Sequence, residues 1–381
     1  MGVIYLDNAA TSWPKPETVY QSMDRFNRQL GASPGRGNHS RTLEAGSLLL
    51  ETREALARLF NVSDCARIIF TANATESLNL ALKGILKPGD HAVISSMEHN
   101  AVARPLHTME RSGVSFSIAA CAPDGSLDPH DVESAIRENT RLVCLLHASN
   151  LTGTIMPIAE VGAIAHRRHV LFLVDAAQTA GIIPIDVQRQ QIDLLAFPGH
   201  KGLFGPQGTG GLYIGPGLEI RTLKEGGTGS QSEQIEQPEF LPDKFESGTH
   251  NTPGIIGLGA GVKFVMETGQ EQILRHEGQL AEMLISGLQE IPGVTVYGPA
   301  DGSRRLAVIP FNVEGLDCGE VSFALDQGGI IARSGLHCAP LAHRTIGIIE
   351  QGACRFSPGF FNTAEEIERV IRAVYAIAAN H

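Results

Sequence analysis

The sequence has no cluster of basic residues, no long apolar run and no closely paired cysteines, and each absence removes a class of protein. Across 381 residues, 30 Lys and Arg stand against 41 Asp and Glu, a formal net charge of −11. With no basic block to neutralise a phosphate backbone, nucleic acid is excluded as a partner, and any anionic ligand must be held locally. No apolar run approaches the roughly 20 residues of a membrane-spanning helix, so no membrane partner is expected. The opening "MGVIYLDNAATSWPKP" lacks the basic start and apolar stretch of a signal peptide, which points to a cytoplasmic protein. Cys65, Cys121, Cys144, Cys318, Cys338 and Cys354 are scattered without C-x-x-C spacing, in a chain large enough to need no disulfide staples. The expectation is six free thiols, five of them inert and buried. Internal repeats and low-complexity tracts are also missing.

What is present is a globular composition, 43% hydrophobic and 19% charged, in a chain long enough for a larger and a smaller domain. Seven short β-rich runs, at 67–70, 91–95, 114–119, 141–147, 170–175, 192–197 and 210–214, are separated by helical patterns. That alternation predicts an α/β domain with a mainly parallel seven-stranded sheet covered by helices on both faces. Its ligand is expected beyond the carboxyl ends of the strands. After "FESGTHNTPG" (245–254) long helical stretches run to about 291. Extended runs at 294–298 and 305–313 follow, then a helix near 317–327 and a C-terminal helix from Thr363. Residues 16–258 are therefore assigned to the large domain, and 1–15 with 259–381 to a smaller α+β domain, with a site in the cleft between them.

Three segments carry chemistry. In "FTANATESLNLAL" (70–82) a strand enters a helix through Asn73, Ala74, Thr75 and Glu76, so first-turn N–H groups and the Thr75 hydroxyl can hold a phosphate, or simply cap the helix. In "VDAAQTAG" (174–181) Asp175 closes an apolar strand, where a half-buried carboxylate needs a partner such as a protonated ring nitrogen, or else caps the next helix. In "AFPGHKGLFGPQG" (196–208) Lys201 stands among glycines and apolar residues; partly removed from water, its amine can form a Schiff base with an aldehyde. Phosphate site, buried aspartate and lysine at successive strand ends together match the three points of pyridoxal 5′-phosphate (PLP).

The segments "YLDNAAT" (5–11), "MEHNA" (97–101), "HASNLTGT" (147–154), "VDAAQ" (174–178), "GHKGLFGPQGTGGLYI" (199–214), "FESGTHNT" (245–252), "RSGLHCAP" (333–340) and "CRFSPGFFNTAEE" (354–366) resemble, in order and over nearly the whole chain, the cysteine desulfurase and selenocysteine lyase family of class-V aminotransferase-like, PLP-dependent enzymes. The resemblance implies PLP-dependent transferase fold type I and a homodimer. It implies that Lys201 carries the cofactor and shuttles protons, that Asp175 pairs with the ring nitrogen, and that His99 stacks on the ring. Asn150 and Gln178 match positions that hydrogen-bond the ring hydroxyl and tune the Schiff base. Thr75 and His200 match phosphate contacts, and Thr249 matches one donated by the other subunit. Arg355 matches the residue that grips the substrate α-carboxylate, a task suited to its bidentate fork. Cys338 matches the nucleophile, with Arg333 and His337 nearby as substrate-side groups that favour thiolate.

Ala74 and Pro198 stand where the family frequently carries hydroxyls, which removes phosphate donors. The short step from Arg333 to Cys338 resembles the compact-loop branch, in which a sulfur-acceptor protein has to come to the site. The implied reaction takes L-cysteine to L-alanine and leaves a persulfide on Cys338. The alternatives are a selenocysteine lyase acting on L-selenocysteine, a PLP aminotransferase or C–S β-lyase, and an inactive scaffold. No metal site is expected. His39 is read either as an entrance residue or as a cap.

Overall fold

The computed structural model describes residues 2–35, 37 and 39–380. In chain order the elements are β1 (Ile4–Tyr5), α1 (Glu17–Arg25), α2 (Ser40–Leu59), β2 (Ile68–Thr71), α3 (Ala74–Ile85), β3 (His91–Ser95), α4 (Asn100–Glu110), β4 (Ser115–Ala119), α5 (Pro129–Ala135), β5 (Thr140–Leu146), α6 (Ile158–Arg167), β6 (Leu171–Asp175), β7 (Leu194–Pro198) and β8 (Gly210–Ile214). There follow α7 (Thr252–Thr268), α8 (Gln270–Gln289), β9 (Val294–Val296), β10 (Ile309–Val313), α9 (Cys318–Gln327), β11 (Ile330–Ile331), β12 (Arg333–Gly335), α10 (Pro340–Thr345), β13 (Ala353–Phe356) and α11 (Ala364–Ala379).

The seven expected runs form one sheet in the order β2-β8-β7-β6-β5-β3-β4. Strands β7, β6, β5, β3 and β4 are mutually parallel, and β8 alone runs against its neighbours β7 and β2. The fold class is the expected α/β one: a mainly parallel large sheet with a smaller α+β unit. Because side chains alternate across a strand, the apolar runs feed two cores at once. Val143, Leu145, Phe172, Val174, Leu195 and Phe197 pack on one face, while Leu142, Cys144, Leu173, Leu194 and Ala196 pack on the other. Runs apolar on both faces are the signature of strands covered on both sides by helices.

The smaller unit is a four-stranded antiparallel sheet, β12-β13-β10-β9, with α8, α9 and α11 over it. The N-terminus is tied to it: β1 pairs in parallel with β11, and Asp7 bridges Ser357. Helix α11 starts where expected, with Thr363 as its cap and Glu366 closing a capping box. Helix α7 runs unbroken through residue 258 and ends at Gly269. Strands β11, β12 and β13 were not expected from the sequence, and β13 is the one that carries Arg355. Helix α2 is capped by His39, whose Nδ1 accepts the Thr42 N–H, which favours the capping reading of that residue.

Candidate active site

Five strand ends deliver the site. Strand β2 runs into Asn73–Thr75, β3 into Glu98 and His99, β5 into Asn150, β6 ends at Asp175, and β7 runs into His200 and Lys201. These ends are brought together around a cleft of about 560 Å³ lined by Thr75, His99, Asn150, Asp175, Gln178, His200 and Lys201, among others. The cleft also takes in the positions of the two departures, Ala74 and Pro198.

At the phosphate end, the Asn73 side chain accepts the Glu76 N–H at 2.9 Å, so it caps α3. The N–H groups of Ala74 and Thr75 still have no partner inside the helix, as the first turn requires, and they remain available to an anion. Strand β8 passes so close to this turn that a Cβ on Gly210 would lie 2.9 Å from the Asn73 backbone, so only glycine fits there. Burial first, then the neighbouring Lys201 and Lys15, lowers the His200 pKa to about 4, so the ring is neutral, and its Nδ1 is buried without a hydrogen-bond partner. Lys15, which the sequence did not single out, donates from Nζ to the His200 carbonyl and to Ser12 Oγ, both at 2.8 Å.

In the middle of the cleft Asp175 is 4% exposed, and burial raises its pKa to about 6. It accepts the Ala177 N–H at 2.9 Å and forms no ion pair among the described residues. Such a carboxylate is poorly compensated and calls for a cationic partner. Lys201 is half-buried; desolvation first, then the Arg355 guanidinium, brings its pKa down to about 8, so an appreciable fraction is free amine near neutral pH. His99 caps α4 through its Nδ1, which accepts the Ala101 N–H at 3.0 Å. Burial first and then Lys201 depress its pKa to about 4, so the ring is neutral and keeps its proton on Nε2. Beneath His99 lies Glu98, fully buried, with its pKa raised by burial to about 8; it accepts the Ser95 hydroxyl at 2.5 Å and the Leu146 N–H at 3.2 Å.

An anion cradle with free N–H groups, a neutral imidazole with an orphaned nitrogen, an under-compensated buried carboxylate and a lysine with a lowered pKa fit the phosphate, ring and aldehyde of PLP. Gln178, by contrast, already donates its amide to the Ala9 carbonyl at 3.2 Å, which ties the N-terminal segment to the cleft wall.

On the small-domain side, Arg355 is 1% exposed. Its Nη1 donates to the Asn150 carbonyl at 2.8 Å and its Nη2 to Asp7 Oδ1 at 2.6 Å, while Nε is buried and unpartnered. Asp7 lies in "YLDNAAT", a motif in which it had no assigned role; only the fold brings it to residue 355. Arg333 lies directly across from Arg355 on β12, so two guanidinium groups flank one region.

Cys338 is exposed and in the left-handed region (φ +56), as is His337 before it (φ +50). The Asn150 side chain donates to the His337 carbonyl at 2.7 Å, and the Asn100 N–H donates to the Cys338 carbonyl at 2.9 Å. Cys338 lines an outer groove together with Thr75, His99 and Ala101, which also line the cleft. His337 is not among the residues that line the cleft or the outer groove; its ring is buried, stacked parallel on His343 with centroids 5.6 Å apart, and its pKa is lowered by burial first and then by Arg355. It therefore stays neutral. Of the remaining thiols, Cys144, Cys318 and Cys354 are buried as expected, but Cys65 and Cys121 are only half-buried. Thr249 is exposed and lies off the cleft of its own chain.

Among the described residues no group of His, Cys, Asp or Glu is arranged to hold a metal ion, and no helix is long and apolar enough to cross a membrane. The class-V aminotransferase model matches residues 4–370. A probable cysteine desulfurase of Methanothermobacter thermautotrophicus is 36% identical, covering 98% of this chain and 94% of that protein. A cysteine desulfurase of Escherichia coli is 34% identical over 98% and 93% of the two chains. Among solved structures, the apo cysteine desulfurase from Thermococcus onnurineus NA1 superposes with a TM-score of 0.94 at 34% identity, covering 100% of this chain and 95% of that one. The cysteine desulfurase CsdA from Escherichia coli superposes with 0.89 at 28% identity, over 99% and 95%. With this site and these relatives, the chain belongs to the class-V aminotransferase family of PLP-dependent enzymes, among the cysteine desulfurases.

Proposed function

We propose that the protein is a homodimeric cysteine desulfurase that converts L-cysteine to L-alanine and leaves a persulfide on Cys338 for a sulfur-acceptor protein. The observation that carries this reading is the shared wall: an exposed thiol stands at the mouth of the cleft that holds Lys201 and Asp175, and Thr75, His99 and Ala101 line both spaces. When bound, PLP supplies an electron sink that makes the substrate Cα proton removable near neutral pH.

The residues around it have separate tasks. Thr75, the first N–H groups of α3 and neutral His200 would hold the phosphate, with Thr249 supplied from the other subunit. Asp175 would pair with the ring nitrogen, and His99 would pack on the ring. Asn150 and Gln178 would orient the groups around the ring hydroxyl. Arg355, pinned by Asp7 and Asn150, receives the substrate carboxylate, with Arg333 adding positive charge. Lys201, with its pKa near 8, takes the Cα proton and returns it. The Cys338 thiolate attacks the substrate sulfur, forming S–S as Cβ–S breaks; the bonding pair stays on Cβ, which takes a proton and leaves as alanine.

The loop that carries Cys338 has its backbone tied at two carbonyls by Asn150 and Asn100. The acceptor therefore has to approach the groove, because the persulfide is not carried out to it. The test is anaerobic incubation of wild type and Cys338→Ala with L-cysteine and a reductant, quantifying alanine, sulfide and pyruvate. Equal alanine and sulfide from wild type, and neither from the variant, is the expected result. Pyruvate in place of alanine would indicate a β-lyase. A fully active variant would remove Cys338 as the nucleophile for cysteine.

A further inference from the structure

The segment that carries Thr249 is anchored by a buried ion pair that no local pattern announces. Arg53, on α2, donates from Nη1 and Nη2 to the two carboxylate oxygens of Glu246 at 2.7 and 2.8 Å, with both side chains under 10% exposed. The same carboxylate accepts the Phe70 N–H at 2.6 Å, and Arg53 also donates to the Ile68 carbonyl. The guanidinium lies over the Phe70 ring, 4.3 Å from its centre. Ile68 and Phe70 belong to β2, which runs on directly into Asn73, Ala74 and Thr75. Glu246 lies three residues before Thr249, whose other flank is held by Asn251, the cap of α7, donating to the Gly208 carbonyl at 3.1 Å. Between these fixed points Gly248 turns with φ +95 and Thr249 is exposed.

A buried charge pair can be replaced by apolar side chains of the same volume at little cost, so it is weak evidence for stability alone. What this pair adds is orientation: a bidentate fork accepts one geometry.

We propose that the Arg53–Glu246 pair is the positioning element of a phosphate site shared between subunits. It locks to one point both the strand that ends in this chain's own cradle and the segment that presents Thr249 to the partner subunit's cradle. The proposal rests on the homodimeric PLP-enzyme reading above. Neither residue touches the cofactor; both act through Thr249 and β2.

The test titrates cofactor-free wild type, Glu246→Gln, Thr249→Ala and the double variant with PLP and with pyridoxal, which lacks the phosphate. Binding is followed by visible absorbance, and sedimentation equilibrium and thermal melting report on assembly and folding. Glu246→Gln and Thr249→Ala are each expected to weaken PLP about tenfold, the scale of one charge-assisted hydrogen bond, and to leave pyridoxal little changed. The double variant should lose less than the product of the two single losses, because Glu246→Gln acts in part through the contact that Thr249→Ala removes. An equal loss for pyridoxal, or losses that multiply in the double variant, would reduce the pair to a purely structural role. No effect of Thr249→Ala on PLP would instead overturn the shared-site reading on which the proposal stands. Should Glu246→Gln fail to fold, Arg53→Lys goes through the same cycle, since it keeps the charge but loses the fork.

Discussion

The floor of the cleft and the loop that carries Cys338 are held in opposite ways. On the floor the side chains are fixed and under-partnered: Asp175 is buried with a single N–H donor, Lys201 is partly desolvated, and His200 has an orphaned nitrogen. In the loop it is the backbone that is satisfied, through the His337 and Cys338 carbonyls, while the thiol is exposed. An unsatisfied buried group marks where a ligand that stays is completed by binding, and a free side chain on a pinned backbone marks where a reactant that comes and goes is met. On the proposed function, the contrast separates the cofactor site from the sulfur-transfer site within one cleft.

The largest break in that contrast should come from Lys201→Ala, which takes the proposed base from the floor. Alanine formation, measured by chromatography at saturating PLP, should fall by about 10³-fold or more, while alkylation of Cys338 by iodoacetamide continues, because the loop is separately held. Asp175→Asn should come next, lowering kcat on the order of 10²-fold in steady-state assays. An unchanged kcat would mean that the buried carboxylate serves only the fold. Asp7→Asn loosens Arg355 without touching the floor, so it should raise the KM for L-cysteine about tenfold with a smaller change in kcat. Equal losses in both parameters would place Asp7 in the chemical step.

The smallest effect concerns pH and the cofactor-free protein. Glu98 and Glu277 are both raised to about 8 by burial, from an ordinary value near 4.5. A carboxyl whose folded pKa is raised holds a proton in the folded state that the unfolded chain has already released. Its contribution to stability is thus greatest below the unfolded pKa and declines as pH rises from about 4.5 to 8. Urea midpoints should therefore fall between about pH 6.5 and 8, above the range in which the buried neutral His99 and His200 add stability as pH rises. Glu98→Gln should flatten the trend and Glu98→Gln with Glu277→Gln should flatten it further, whereas a slope unchanged in both would show that these groups are ionised in the folded state.

The sheet was legible because its strands are apolar on both faces and bounded by glycine or polar turns: all seven runs became strands, with boundaries shifted by a few residues at most. Thr363 announced α11 through its capping box. Strands β11, β12 and β13 were not legible, because they are two to four residues long and two of them contain arginine. Arg333 and Arg355 had roles only through the family resemblance; it is pairing across β12 and β13 that sets them opposite one another. Asp7 carried no signal beyond its place in a motif, and Glu246 resembled an ordinary loop acid. The His337–His343 stack was invisible for a similar reason, since nothing in "RSGLHCAPLAH" says that the two rings fold onto one another.

By itself the sequence determined the alternating α/β plan, the strand ends that supply Thr75, Asp175 and Lys201, and the residue types that suit a phosphate, a ring nitrogen and an aldehyde. These follow from local periodicity and from chemistry that each side chain carries with it. Only the tertiary structure decided which charges are buried against which: Arg355 on Asp7, Arg53 on Glu246, Lys15 under His200. Such pairings join residues up to 348 positions apart, and a charge's environment depends on everything packed around it, which no local stretch of sequence contains.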